Sequence, residues 1–271
     1  MTDDGLSELE DALAECDRAI AADPGNAKAH SNRGKALTAL GRNEEALASH
    51  DRAIALNPGD PVAHNRRGIA LADLGRPEDA LAAYDRAIAL DPGDAVPRSN
   101  RGLALVALGR NAEALAAYQD AIALVPGEFG PHHNRGILLA EMGELDGALA
   151  ELDHAEGLDP DWAGEGTAWA GAILWHQRDS AGARDRFARV QNRVGGCTPF
   201  RTAEMEAVAL CGLGRPDEAE QHLLGSLPRR TPGDLAEPRG LYDLLSDPPL
   251  PGIDRLRAIA DSGTRSRRSA P

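Results

Sequence analysis

Eight histidines and three cysteines, Cys16, Cys197 and Cys211, are the side chains of this sequence best suited to metal or nucleophilic chemistry. Their spacing argues against both. His30, His64 and His132 recur at one or two whole steps of 34 residues, and positions a full structural repeat apart do not converge on one ion. His132, His133 and His154 fall closer together, but without a cysteine or a clear carboxylate partner in the local sequence. Cys211, in Leu210-Cys211-Gly212, sits on an apolar stripe, where a thiol is an inert packing group. Cys197 stands in a glycine-rich stretch with no neighbouring His or Lys to lower its pKa. No Cys-x-x-Cys pair, phosphate loop, dinucleotide fingerprint, Gly-x-Ser-x-Gly elbow or His-Glu-x-x-His helix occurs. Trp162, Trp169 and Trp175 are spaced for core or cap packing. The expectation is a protein that is not an enzyme and carries no cofactor and no metal.

The elements that position these residues follow a ruler. Pro24, Pro58, Pro92, Pro126 and Pro160 are 34 residues apart. Gly34, Gly68, Gly102 and Gly136 keep that step, as do Gly41, Gly75, Gly109 and Gly143, and Ala12, Ala46, Ala80, Ala114 and Ala148. Between these marks apolar residues recur at helical spacing: Leu71 and Leu74 on one stripe, then Leu81, Tyr84, Ile88 and Leu90 on another. Gly75 between them suits a left-handed helix end, and Pro92 stops the second helix. Each period therefore reads as a helical hairpin, with Gly68 and Ala80 small where its two helices approach. With aromatics at 3% and hydrophobic residues at 42%, the core has to be built from Ala, Leu, Ile and Val.

The stretch Asn65-Arg66-Arg67-Gly68 to Leu74-Gly75-Arg76, then Glu78-Asp79-Ala80-Leu81, Tyr84-Asp85-Arg86-Ala87-Ile88 and Asp91-Pro92, resembles the tetratricopeptide repeat. Its early aromatic is replaced by His30, His64, Arg98 and His132, and its Leu before the packing glycine by Arg33, Arg67, Arg101 and Arg135. Sixteen residues before each arginine stands Asp17, Asp51, Asp85 or, last, Gln119, so inter-repeat Arg–Asp pairs are expected at the first three steps. The resemblance implies an all-α superhelix, a solenoid of stacked helix-turn-helix hairpins, with a C-terminal cap.

On this reading residues 6–26 are a half repeat, opened by a Ser7/Glu10 capping box, and four regular repeats occupy 27–60, 61–94, 95–128 and 129–162. Degenerate repeats follow at 163–198, where Arg178-Asp179 replaces the inter-helix glycine, and at 199–228. Residues 229–261 are expected to form two short capping helices, because a stack of repeats leaves an apolar end. Residues 262–271 are expected to be a disordered tail.

The resemblance also implies that residues two before, one after and four after the packing glycine line a concave groove. The first row is Asn32, Arg66, Asn100 and Asn134; the second is Lys35, Ile69, Leu103 and Ile137. A ladder of amides, each donor and acceptor, can hold an extended peptide backbone whatever its sequence. This row is similar to the asparagine ladder of the O-GlcNAc transferase repeat domain, with Arg66 as an interruption. The clamp that holds chaperone tails is not matched, since no consecutive triple of repeats supplies its lysines and asparagines. The expected partner is thus a protein or peptide segment held in the groove by a scaffold or adaptor. The alternative is a self-associating structural subunit, a homo-oligomer formed through the fifth repeat or the C-terminal segment.

Charge narrows the partner class. The net charge of −14 is carried by residues 1–162, at −15, against +1 for the rest. Such a surface excludes nonspecific nucleic-acid binding, which needs a basic footprint. No apolar run reaches the roughly 20 residues of a membrane span, and the acidic start is unlike a signal peptide, so a cytoplasmic location and no membrane partner are expected. Only Lys28 and Lys35 are lysines among the 29 basic residues, a bias of GC-rich, bacterial coding.

Overall fold

The computed structural model describes residues 3–159, 164–190, 199–226, 239–247 and 249–258. Trp162, Cys197 and the expected tail 262–271 lie outside the described residues. The chain forms two compact units, residues 1–126 and 127–271. The first holds α1 (Asp3–Ala22), α2 (Ala27–Ala39), α3 (Asn43–Leu56), α4 (Pro61–Asp73), α5 (Pro77–Leu90), α6 (Val96–Ala107) and α7 (Asn111–Leu124). The second holds α8 (Phe129–Glu141), α9 (Leu145–Leu158), α10 (Gly164–His176), α11 (Ser180–Val190), α12 (Pro199–Gly212), α13 (Pro216–Ser226) and α14 (Arg239–Leu244). A last helical turn spans 253–258. Among the described residues only an isolated bridge, Ser246 to Pro249, has β character. The expected all-α class is therefore correct.

Helices start and stop where the ruler puts its marks. The Asn26 side chain accepts from the Ala29 amide at 3.0 Å and Asp60 from Val62 at 2.9 Å, each capping a first helix. Pro61 and Pro77 occupy opening positions, where a missing N–H costs nothing. At the other end Gly75 turns left-handed, φ +71°, and the Arg76 amide closes back onto the Leu71 carbonyl at 3.0 Å. The helix α1 begins at Asp3, so Ser7 lies inside it and the expected Ser7/Glu10 capping box does not form.

Pairs α2–α3, α4–α5 and α6–α7 pack as hairpins in the first unit, and α8–α9, α10–α11 and α12–α13 in the second. Ala46, Ala80, Ala114, Ala148, Ala183 and Ala219 have 0% exposure, so the alanine register marks the closest helix crossings. Gly68 and Gly102 sit against the rings of Tyr84 and Tyr118, and Gly171 sits against Phe187 in the degenerate fifth hairpin. Successive hairpins of the first unit are joined by the expected ion pairs: Arg33–Asp17 at 2.7 Å, Arg67–Asp51 at 2.6 Å and Arg101–Asp85 at 2.8 Å. Each aspartate is more than half exposed, so these pairs set register more than stability. Arg135, the fourth of the series, bonds to Glu151 within its own hairpin.

Arg178 holds the left-handed position that Gly41, Gly75, Gly109, Gly143 and Gly214 hold in the other hairpins, with φ +68°. A side chain costs about 1–2 kcal/mol in that conformation. Its ion pair with Asp247 is long, 3.5 Å, and open to solvent. Arg178→Gly should therefore stabilise the second unit by about 1 kcal/mol, read as a higher urea midpoint. A lower midpoint would show that the ion pair outweighs the backbone strain.

Candidate functional site

The packing glycines turn one side of each first helix toward its partner and leave the adjoining side for another role. In the first unit α2, α4 and α6 are neighbours, so their inner rows lie side by side. Asn32, Lys35 and Leu103 are exposed there, and Arg66, Ile69 and Asn100 are half-buried. Arg66 does not interrupt the amide row. Its Nη1 donates to Ser31 Oγ at 3.0 Å and to Asn32 Oδ1 at 3.4 Å, tying α4 to the rung on α2. Asn100 Nδ2 donates to Asn65 Oδ1 at 3.1 Å, so Asn65, outside the expected row, is bonded to it. Its place one residue before Arg66, next to the expected row, was the only sequence signal for it.

Two depressions open on this face. One, of about 570 Å³, lies between α1 and α2 and includes Cys16, Asn32, Lys35 and Ala36. The other, of about 420 Å³, lies between α4 and α6 and includes Ile69, Asp73, Tyr84, Asn100 and Leu103. Burial, with the Asp73 charge adding, raises the Tyr84 phenol far above its ordinary range, so it stays a neutral hydrogen-bonding group. Desolvation also raises the Asp73 carboxyl. The Cys16 thiol is raised first by desolvation, then by Glu15 and Asp17, which makes it a poor nucleophile.

The second unit treats the same register differently. Asn134 and Ile137 on α8 are half-buried. At the equivalent places, allowing for the one-residue insertion, α10 carries Trp169 and Ala172, both at 0% exposure. On α12 the row is Met205, Val208 and Cys211, none more than 2% exposed. Here the chain covers itself. The short helix α14 packs on the first helices α8 and α10. A Cβ built on Gly252 would lie 3.3 Å from Cys211 Sγ and would strike Pro216. Arg255 reaches Asp217 and Glu220 on α13 at 3.1 and 2.9 Å. The C-terminal segment thus touches the last hairpin and also reaches back over the inner row. Burial pushes the Cys211 thiol up to about 11 despite Arg255 nearby, in keeping with an inert group.

His30, His64, His132, His133 and His154 are packing groups with local contacts. His132 Nδ1 is 2.7 Å from Glu151 Oε2, a carboxylate partner that sequence spacing did not reveal. The His132 and His154 rings meet edge to face at 4.4 Å, and His133 stacks on Phe129. His30 and His64 each bond a carbonyl of the preceding turn, Pro24 or Pro58, at 3.2 and 3.1 Å. Among the described residues no three metal-ligating side chains converge. No described helix is long and apolar enough to cross a membrane.

Comparison with known proteins agrees with this geometry. A tetratricopeptide repeat family model matches residues 4–61, 32–95, 65–131 and 99–164, and a second matches 201–224. No curated protein sequence matches the chain. A tetratricopeptide repeat protein from Parabacteroides merdae is similar in structure, with a TM-score of 0.66 and 17% identity over 89% of this chain and 93% of that one. PilF of Pseudomonas aeruginosa gives 0.62 and 20% identity over 82% and 97%. YrrB, described as a tetratricopeptide protein with an unusual peptide-binding site, gives 0.50 and 21% over 65% and 91%. At these identities the structures establish the shared fold, while the family models span more than half of the sequence. Period, hairpin packing and family match agree, and the chain belongs to the tetratricopeptide repeat family.

Proposed function

We propose that this protein is a non-catalytic cytoplasmic adaptor that holds a peptide segment of a partner protein on the inner face of its first unit. Asn32, Arg66 and Asn100 bind the peptide backbone, and Lys35, Ile69 and Leu103 meet its side chains. Asn134 and Ile137 stand at the same register of α8. The observation that carries this reading is the open inner row of the first unit, where two depressions are lined by five of those six residues. Members of the family are in general protein-interaction scaffolds, and YrrB is described as having a peptide-binding site.

The ladder's geometry gives the mechanism. Asn100 spends one N–H on Asn65, so its carbonyl and second N–H are available to an extended backbone. Arg66 anchors Asn32 through its oxygen, which leaves that amide's N–H groups to donate to a peptide carbonyl. The test is a titration of the captured partner against wild type and Asn100→Ala/Leu103→Asp. Leu103 is 48% exposed, so the change leaves the fold intact. Binding should weaken by about tenfold or more, with helicity unchanged. Equal affinities would remove this face from the reading.

A further inference from the structure

The inner rows of the two units differ in one respect: the first is open, and the second carries a segment of its own chain. We infer that the inner face of the second unit is a groove for a short amphipathic helix of a partner protein, and that residues 239–258 are its built-in, displaceable occupant. This stands independently of the first unit's face.

The segment has the composition of a ligand. Leu241, Tyr242, Leu245, Leu250, Ile253 and Leu256 are buried, while Asp243, Asp247, Asp254 and Arg255 remain exposed. Leu241, Tyr242 and Leu245 stand at the i, i+1, i+4 spacing of one helix face. A six-residue helix is too short to persist in water, so α14 is ordered by the surface beneath it.

Its hold is adjustable. Arg255 to Asp217 and Glu220, and Arg178 to Asp247, tie it to the body through solvent-exposed ion pairs that contribute little. On α10, against which α14 packs, Trp169 occupies the ladder position with no exposed surface, and its Nε1 has no hydrogen-bond partner. A buried donor left orphaned costs free energy that a ligand bringing an acceptor would recover. The better ligand is therefore an amphipathic helix with Leu-Tyr-x-x-Leu-like apolar spacing, an acceptor for Trp169 and a basic residue for Asp217 and Glu220. Its apparent affinity is lowered by the fraction of chains whose groove is filled by the resident.

Cys211 reports the equilibrium, because Gly252 lies directly on it. In the full chain with Cys16→Ser and Cys197→Ser, Cys211 is the one remaining thiol. Gly252 has φ +85° and no room for a Cβ beside Pro216, so Gly252→Val has to lift the segment. Thiol modification should then be at least about tenfold faster than in the parent, with helicity retained. Arg255→Glu, which removes the anchor without touching the backbone, should give a smaller acceleration and serves if Gly252→Val does not fold. A synthetic peptide of native sequence 239–258 added to the lifted variant should restore protection with saturation. Unchanged labelling in both variants would overturn the inference, since the segment would not then be what covers Cys211. Faster labelling that the peptide does not slow would overturn it too, because the uncovered face would bind no helix. Protection that rises with protein concentration together with a doubled mass would assign the occupant to a second copy and also overturn it.

Discussion

Replacing His50 by phenylalanine should stabilise the first unit at neutral pH and flatten its loss of stability on acidification. His50 stands over Gly34 in the slot that Tyr84 and Tyr118 fill over Gly68 and Gly102. It has no exposed surface, and neither ring nitrogen has a hydrogen-bond partner. Each unsatisfied buried polar group costs about 1–3 kcal/mol, and an apolar ring of similar shape removes two. A gain of about 1–2 kcal/mol at pH 7 is expected once the added ring volume is accommodated. Burial, with the Arg66 charge adding, lowers the His50 pKa to about 4. The unfolded chain takes up this proton near pH 6.5, whereas the folded chain resists it until about 4. The stability contributed by the neutral ring is thus fully present above pH 6.5 and is lost as pH falls toward 4. By linkage the loss amounts to about 2–3 kcal/mol by pH 4.5. Urea midpoints of wild type and His50→Phe should diverge steadily from pH 7 to 4.5. A constant gap over that range would show that His50 does not titrate with folding.

The second large effect is a sign reversal within one kind of substitution. Gly157 lies inside α9 with open space around an added Cβ, so Gly157→Ala should stabilise by up to about 1 kcal/mol through helix propensity. Gly102 lies inside α6, where a Cβ would come within 2.8 Å of Cδ1 and Cζ of Tyr118 and closer still to Cε1. That ring is 1% exposed and cannot swing away. Overpacking of this kind costs about 1–3 kcal/mol and outweighs propensity, so Gly102→Ala should destabilise by about 2 kcal/mol. Thermal melts of the two variants should move in opposite directions. If both rise, α6 and α7 do not approach as closely as Gly102 and Tyr118 place them.

The hairpins were legible because few residues can do what their marks do. A proline cannot continue a helix, a left-handed turn favours glycine, and a 34-residue period repeats both without slippage. The Arg–Asp pairs followed as readily, since sixteen residues separate the same two helix faces at Asp17 and Arg33 as at Asp85 and Arg101. His50 went unnoticed because its own neighbours say nothing; only alignment with Tyr84 and Tyr118 shows that a polar ring stands in an aromatic slot. Arg66 read as an interruption because spacing places a side chain on a face without saying where a long one turns. The placement of 239–258 was out of reach for a different reason. Apolar residues such as Leu241 and Ile253 announce that they will be buried, but not whether they lie over a stack's end or its inner curve.

The three Arg–Asp brackets of the first unit use one spacing and equivalent helix faces. Excising or duplicating one full period there returns every aspartate a matching arginine, and no new contact has to be invented. Such a molecule can lengthen or shorten in whole steps by unequal recombination, so the number of its brackets is a quantity that selection can count out.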